Sequence, residues 1–325
     1  MNKEILQTFF QKEIAPYTAK LEQEIRHESN SVKLFLALFA ALFMMVVFFD
    51  SIVKYIDKGT MVFAFIAGMI VSFFLIQRAR ERGSRIDKMY ERIVIQPLLK
   101  KIDPSLRYFR NRGFDEVAFQ KSGLFDGYHR YKSNRLFEGE VDGMPLTFAN
   151  VHVVTGHYND NKNEYEERDL FHGLFISTKM KKRIRGQIVV YPDFAEKLFG
   201  IMGRGLQSKQ YRSLQRVSLD NPEFERAFKV YASDAVEARY VLSHMMMERI
   251  VHLAKRLGKN HNLIYISFTE DTIYLGIHNF GFLQRDSARM ARKDYVIDFE
   301  HISYHLEMLE LAMSLSKVLR LESVV

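Results

Sequence analysis

Two uncharged apolar runs near the start of the chain limit what it can fold into more than any other feature. Residues 34–49 read LFLALFAALFMMVVFF and residues 61–76 read MVFAFIAGMIVSFFLI. A spanning helix needs about 20 residues to cross a hydrocarbon core of about 30 Å. Each run is shorter than that. Continuation of the first through Asp50 to Val53, and snorkelling of Lys33, Lys54, Lys58, Gln77 and Arg78, make up the difference. The pattern predicts two transmembrane helices, about 34–53 and 61–76, forming a helical hairpin over 34–77. The competing reading is a pair of buried core helices. The first run does not read as a secretory signal, because the stretch before it carries five acids and five bases instead of a basic leader.

The charge distribution orients this hairpin. The chain of 325 residues carries a net +8. Between Arg78 and Arg112 there are eleven Lys/Arg against four Asp/Glu, so nearly all the excess follows the second run. The basic side is expected to be cytoplasmic. Both termini and the main domain then face the cytoplasm, and in a bacterium the anchor sits in the inner membrane. Arg78, Arg80, Arg82, Arg85, Lys88 and Arg92 are the expected contacts to anionic lipid headgroups.

The chain reads as four parts. Residues 1–33 hold an N-terminal cytoplasmic helix, with Leu6, Phe10, Ile14, Tyr17, Leu21 and Ile25 on one stripe and Pro16 kinking or dividing it. The hairpin fills 34–77. Residues 78–112 form a basic juxtamembrane helix with Ile86, Met89, Ile93 and Leu98 as its apolar stripe. Residues 113–325 form a cytoplasmic α+β domain with antiparallel sheet and packed helices.

In that last part the period changes to two from about Val117. Residues 134–141 and 146–154 flank Asp142-Gly143, a hairpin signal. Residues 159–168 read as a polar loop, and 170–177 and 187–191 as strands. Asp220-Asn-Pro-Glu223 starts a short helix, and residues 229–231 form a brief strand. Asp234 with Glu237 makes a capping box. Ser243 caps a helix that Gly258 ends. Residues 263–268 and 272–277 form a hairpin around Glu270-Asp271. Residues 299–320 form a long final helix with two opposed apolar stripes: Ile302, Leu306, Leu309 and Met313 on one side, and Tyr304, Met308, Leu311, Leu315 and Val318 on the other. The first stripe suits the sheet of its own domain. The second is an expected interface, covered by a second copy, a partner or another element of the chain.

Catalytic signals are sparse. No cysteine is present, so disulfides, thiolate metal sites and cysteine nucleophiles are excluded. His301 and His305 stand four apart, a metal-compatible spacing with no third ligand fixed by sequence, and no metal or cofactor is assigned. His129, His152, His157 and His172 fall among the strands, where folding brings them together or leaves them apart. Asp220-Asn-Pro-Glu-Phe-Glu225 reads as helix capping ahead of an acidic site. The glycines of residues 200–205 with Arg204, Lys209, Arg212 and Arg216 match neither phosphate-binding fingerprint. Met245-Met-Met247 reads as core helix.

Four segments carry a resemblance: LFDGYHRYKSNRLFEGEVDG at 124–143, FHGLFIS at 171–177, VSLDNPEFERAFKVYASDAVEARYVLSHMMMERI at 217–250 and ISFTEDTIYLGI at 266–277. With the preceding apolar hairpin they resemble an uncharacterised bacterial family of two-span membrane-anchored proteins, known only by a domain-of-unknown-function label. The resemblance implies the architecture above and no activity. It also implies a partner of the small membrane-associated helical type (LemA-like). The expected function is a membrane-anchored cytoplasmic module, more a binder than an enzyme, that holds a partner protein or anionic lipid headgroups. The alternative is a membrane-tethered hydrolase acting on lipid or envelope intermediates. Nucleic-acid binding through residues 179–185 and 204–216 ranks below both.

Overall fold

The structure, a computed structural model, describes residues 7–23, 68–74, 88–141, 143–159, 164–180, 182–193, 214–256 and 264–279, with isolated positions 37, 66, 77, 299, 303 and 313. The chain divides into two compact units. One comprises residues 1–101 with 285–304, and the other residues 102–284 with 305–325.

The expected transmembrane hairpin is corrected. Among the described residues no helix is long and apolar enough to cross a membrane. Residues 68–74 are helical, and at about 1.5 Å per residue they span about a third of a 30 Å core. The other positions of 34–53 and 61–76, apart from Ala37 and Ile66, lie outside the described residues.

The first unit holds α1 (residues 7–23) and α2 (residues 88–102) up to its last residue, Ile102, which belongs to the second. Each contains one widened π-turn, Phe10–Ile14 in α1 and Glu91–Ile95 in α2. In each turn the hydrogen bond skips one residue further than in an α-helix: Ala15 N–H donates to Phe10 O, and Gln96 N–H to Glu91 O. The two turns share a cause. Pro16 and Pro97 each stand two residues beyond the turn. A helix-interior proline lacks an N–H and its ring collides with the carbonyl four residues back. Widening the preceding turn moves that carbonyl aside and lets the helix continue. Pro16 therefore bends the hydrogen-bond pattern of α1 without dividing it. The extra residue also rotates the stripe that follows. In α2 the buried residues are Tyr90, Val94, Ile95, Leu98 and Leu99, while Met89 and Ile93 are only partly covered. In α1 Ile14 and Leu21 are buried, but Tyr17 is 60% exposed.

Among the described residues, the second unit is built on one nine-stranded antiparallel sheet. Its strands are β1 (Arg107–Phe109), β2 (Arg130–Val141), β3 (Met144–Asn159), β4 (Glu164–Lys179), β5 (Gln187–Pro192), β6 (Gln215–Val217), β7 (Phe228–Ala232), β8 (Ile264–Thr269) and β9 (Thr272–His278). Their order across the sheet is β1-β2-β3-β4-β9-β8-β5-β7-β6. The β2–β3 hairpin closes as expected: Val141 faces Met144 across Asp142-Gly143, with Gly143 at φ +71. The β8–β9 hairpin turns at Glu270, φ +54. Where a polar loop was expected at 159–168, β3 runs on to Asn159 and β4 begins at Glu164.

Among the described residues this unit has four helices: α3 (Glu116–Lys121), α4 (Pro222–Ala227), α5 (Ala235–Val241) and α6 (His244–Arg256). The onset of period two at Val117 is thus corrected to a helix. Asp115 caps it by accepting the Ala118 N–H at 2.8 Å. Asn221 caps α4, accepting from Glu223 and Phe224 N–H. Asp234 caps α5. The reciprocal half of its capping box is absent, because the Glu237 carboxylate accepts the Arg185 N–H instead, at 2.9 Å. Met246 and Met247 of α6 are core, while Met245 is exposed.

Alternation of side chains sorts the strands onto two faces. Ala149, Val151 and Val153 of β3 join Phe171 and Phe175 of β4 in an aromatic core closed by Phe114, Phe119, Leu124 and Phe125. The opposite face of β3 and β4 carries Phe148 and Ile176, which are register partners. There Phe137 stacks on Phe148 with ring centroids 4.6 Å apart.

Candidate functional site

The β3–β4 pair outruns its neighbours. β3 and β4 pair from Leu146↔Thr178 to Asn159↔Glu164. β2 accompanies β3 only as far as Val154, and β9 accompanies β4 only from Gly173. Beyond those points a two-stranded ribbon continues, and its polar groups gather where it leaves the sheet.

A β-bulge assembles them. Val153 pairs with Phe171, but Val154 pairs with Asp169, so Leu170 is an extra residue on β4. Leu170 turns into the aromatic core with Phe171. In an unbroken strand Asp169 and His172, three residues apart, point to opposite faces. The inserted residue restores Asp169 to the face of His152 and His172, the re-aiming for which bulges are used. His152 and His172 are register partners with ring centroids 4.8 Å apart. His152 Nε2 lies 2.6 Å from Asp169 Oδ1. Further along the ribbon, Glu167 binds His129 Nε2 at 3.2 Å and also binds Arg130. The hydrogen bond from His129, with the positive charge of Arg130, holds the Glu167 carboxyl below the usual carboxylate range. Tyr165 lies against His129 with centroids 5.9 Å apart, and it fills the space over Gly156, where a Cβ meets its hydroxyl at 2.3 Å.

His278 closes the other side of the row. The His172 N–H donates to His278 Nδ1 at 3.3 Å, and Asn279 N–H donates to His172 O at 2.7 Å. Burial first and the neighbouring His172 second push the His278 pKa down, and Asp169 acts the other way. A histidine whose pKa is lower folded than unfolded binds fewer protons in the native state. Stability is then complete above the unfolded value of 6.5 and falls as pH drops through the native value. Acidifying from pH 7 to 5.5 is expected to lower the thermal midpoint. His278→Gln, which keeps an acceptor for the His172 N–H, should flatten that dependence. A wild-type slope retained in the variant would assign the acid sensitivity elsewhere.

The sequence left open whether the strand histidines meet: His152 and His172 do, with His278 beside His172, while His129 stands further along the ribbon at Glu167. Backbone pairing sets His157 opposite Glu166. Among the described residues no three His, Asp or Glu groups are placed to hold a metal ion. The row is a partly exposed set of histidine–carboxylate hydrogen bonds, with the Arg130–Glu167 ion pair, at the root of the ribbon.

The other expected sites fare differently. Arg78, Arg80, Arg82 and Arg85 lie outside the described residues, as do His301, His305, Tyr304, Met308, Leu311, Leu315, Val318, Arg204, Lys209 and Arg212. Lys88 and Arg92 are exposed on α2. Arg92, Lys100 and Lys101 line a groove of ≈ 350 Å³ with Glu13 and Gln96. Part of the basic run that begins at the end of β4 meets acidic or aromatic partners. Lys179 Nζ binds Asp271 at 2.6 Å, Arg183 binds Glu270 at 3.6 Å, and Lys182 sits over Tyr240 at 4.1 Å.

An antiparallel sheet domain with a projecting charged ribbon is the class of structure these features define. Residues 169–321 match a family described as "Protein of unknown function (DUF3137)", which supports the resemblance to a domain-of-unknown-function family over that span. No curated protein matches the chain. Among solved structures, the crystal structure of the mycobacterial trehalose monomycolate transport factor A, TtfA, is similar at 8% identity and a TM-score of 0.33. The match covers 63% of this chain and 88% of that one. A likeness that shallow settles neither fold nor activity.

Proposed function

We propose that the chain is a non-catalytic binding module that holds a partner protein on the β3–β4 ribbon. The observation that carries this reading is the ribbon itself: a pair of strands extended past the described strands on either side, bearing exposed charges and the 56% exposed ring of Tyr165. Exposed aromatic residues ringed by charge are the usual anchors of protein interfaces. A photo-crosslinking residue at Tyr165 should give a discrete adduct in cells. The same residue at Val236, which is 75% exposed on α5, should give none. Glu164→Lys with Glu166→Lys should remove the Tyr165 adduct. No adduct at Tyr165, or equal labelling from both positions, ends this reading.

A second reading has its own observation. The groove lined by Arg92, Lys100 and Lys101 suits an anionic headgroup, each cation near an anionic leaflet contributing on the order of 1 kcal/mol. The full chain should bind anionic vesicles in preference to neutral ones. Replacing these three residues with Gln should abolish the preference, and equal binding to both vesicle types removes the reading.

A further inference from the structure

We infer that the groove between α1 and α2 binds a phosphomonoester, as a lipid headgroup or as a free phosphate ester, through Arg92, Lys100 and Lys101. This rests on the second reading above and narrows its anionic group to one class of phosphate.

The two π-turns build the groove. Glu13 belongs to the π-turn of α1 and Arg92 to that of α2, and Pro97, which widens the second, is itself part of the wall. Single π-turns inside α-helices occur frequently at functional sites. Here the widening also sets the side chains. Four residues of α-helix overshoot a full turn by about 40°. A π-turn advances less per residue, so Arg92 and Gln96 draw into line, with Lys100 one turn further on. All three line the groove, beside Lys101. Phe9 and Pro97, both partly buried, supply its apolar wall.

Charge selects the ligand. Three cations stand against the single carboxylate of Glu13, a net +2 along one groove. Arg92, Lys100, Lys101 and Glu13 are all exposed, and among the described residues none of the four has an ion-pair partner. Basic side chains elsewhere are placed differently: Arg112, Arg130, Lys179, Lys229 and Lys255 each meet a carboxylate. A phosphodiester carries a single negative charge and leaves part of the groove's charge unmet. A phosphomonoester carries about −1.5 to −2 at pH 7, with a second pKa of about 6, and three acceptor oxygens. The planar fork of Arg92 suits two of those oxygens, and Lys100 and Lys101 act as point charges. The Glu13 carboxylate accepts hydrogen bonds and gives none, so it suits a hydroxyl on the alcohol part of the ester.

Flotation of the full chain with vesicles tests this. One set contains phosphatidic acid, a monoester, in neutral lipid. The other contains phosphatidylglycerol, a diester, at twice the mole fraction to match surface charge. At pH 7.5 the chain should bind the phosphatidic acid vesicles about fivefold more tightly, the scale of one further charge contact. Acidifying to pH 5.5, below the second phosphate pKa, should remove the preference. Lys100→Gln with Lys101→Gln should remove it at pH 7.5, with the circular dichroism spectrum unchanged. Lys121→Gln with Lys132→Gln, which deletes the same charge from exposed positions elsewhere, should leave it intact. A preference that survives Lys100→Gln with Lys101→Gln overturns the site. Calorimetric titration with glycerol 3-phosphate separates the two sources. Binding heat that disappears with Lys100→Gln and Lys101→Gln shows a free ester to be a ligand, and vesicle preference without such heat assigns the groove to a lipid headgroup. Equal binding to both anionic vesicles, with no heat from glycerol 3-phosphate, overturns the monoester inference and leaves the anionic-headgroup reading standing. If neither vesicle binds better than neutral lipid and no heat is seen, both fall.

Discussion

Gly173→Ala is expected to unfold the sheet domain or leave it several kcal/mol less stable. Gly173 sits on β4 opposite His278, and a Cβ built there lies 1.9 Å from the backbone oxygen of Ile277. Side-chain repacking does not relieve that contact, because the atom it meets is part of the neighbouring strand. β4 and β9 must separate locally, at the place where the His172 N–H reaches His278 Nδ1 and Asn279 N–H reaches His172 O. Overpacking of a core costs about 1–3 kcal/mol where side chains can yield, and a backbone collision belongs at or above the top of that range. Gly143→Ala is the comparison. Gly143 has φ +71 with nothing within 4 Å of the built Cβ, so its cost is conformational alone, about 1–2 kcal/mol. Denaturant unfolding followed by circular dichroism should rank Gly173→Ala well below Gly143→Ala. Equal midpoints would show that β4 and β9 are less closely set than the structure has them.

The elements legible in the sequence are those where one local signal acts without competition. Alternation and a two-residue Asp-Gly turn located the β2–β3 hairpin, and Asn221-Pro222 and Asp234 marked the starts of α4 and α5. The ribbon was misread as a loop because periodicity reports burial. With both faces of Glu164–Asp169 in solvent, nothing enforces alternation of apolar and polar residues. The bulge at Leu170 left no separate trace, since one inserted residue in an apolar strand leaves its composition unchanged. Yet that residue decides whether Asp169 meets His152. The histidines could therefore be named from sequence as strand residues, but their partners could not. In α2 the stripe through Ile93 fails because a proline-induced π-turn shifts the helical phase, a consequence of Pro97 that sequence does contain. Glu237 shows the limit of local capping rules: the spacing from Asp234 is right, but Arg185, distant in sequence, offers it a better donor. The transmembrane hairpin rested on two uncharged apolar runs and the basic charge that follows them, and among the described residues no helix is long and apolar enough to carry it.

Phe119→Ala should cost about 3–5 kcal/mol, the range for deleting a large buried aromatic. α3 is a helix of only six residues, too short to hold itself in water, and Phe119 is what fixes it to the sheet. The ring is fully buried, with centroids 4.8 Å from Phe175, 5.1 Å from Tyr131 and 5.8 Å from Phe125. Phe125 in turn lies 4.7 Å from Phe171, the residue beside the Leu170 bulge. Truncation therefore opens a cavity beneath the root of the ribbon, where rings already close-packed have little room to collapse. A loss of this size is a large fraction of the stability of a typical domain, about 5–15 kcal/mol. The polar attachments of α3 stay in place: Gln187 Nε2 donates to Ser122 O at 2.8 Å and Tyr191 OH to Leu124 O at 3.0 Å. Those bonds should keep α3 docked, so the transition should shift in midpoint with little change in its denaturant slope. Phe119→Leu, which refills most of the space, should lose less than half as much. If Phe119→Ala costs under about 1 kcal/mol, Phe119 does not anchor α3, and the hydrogen bonds around the helix hold it.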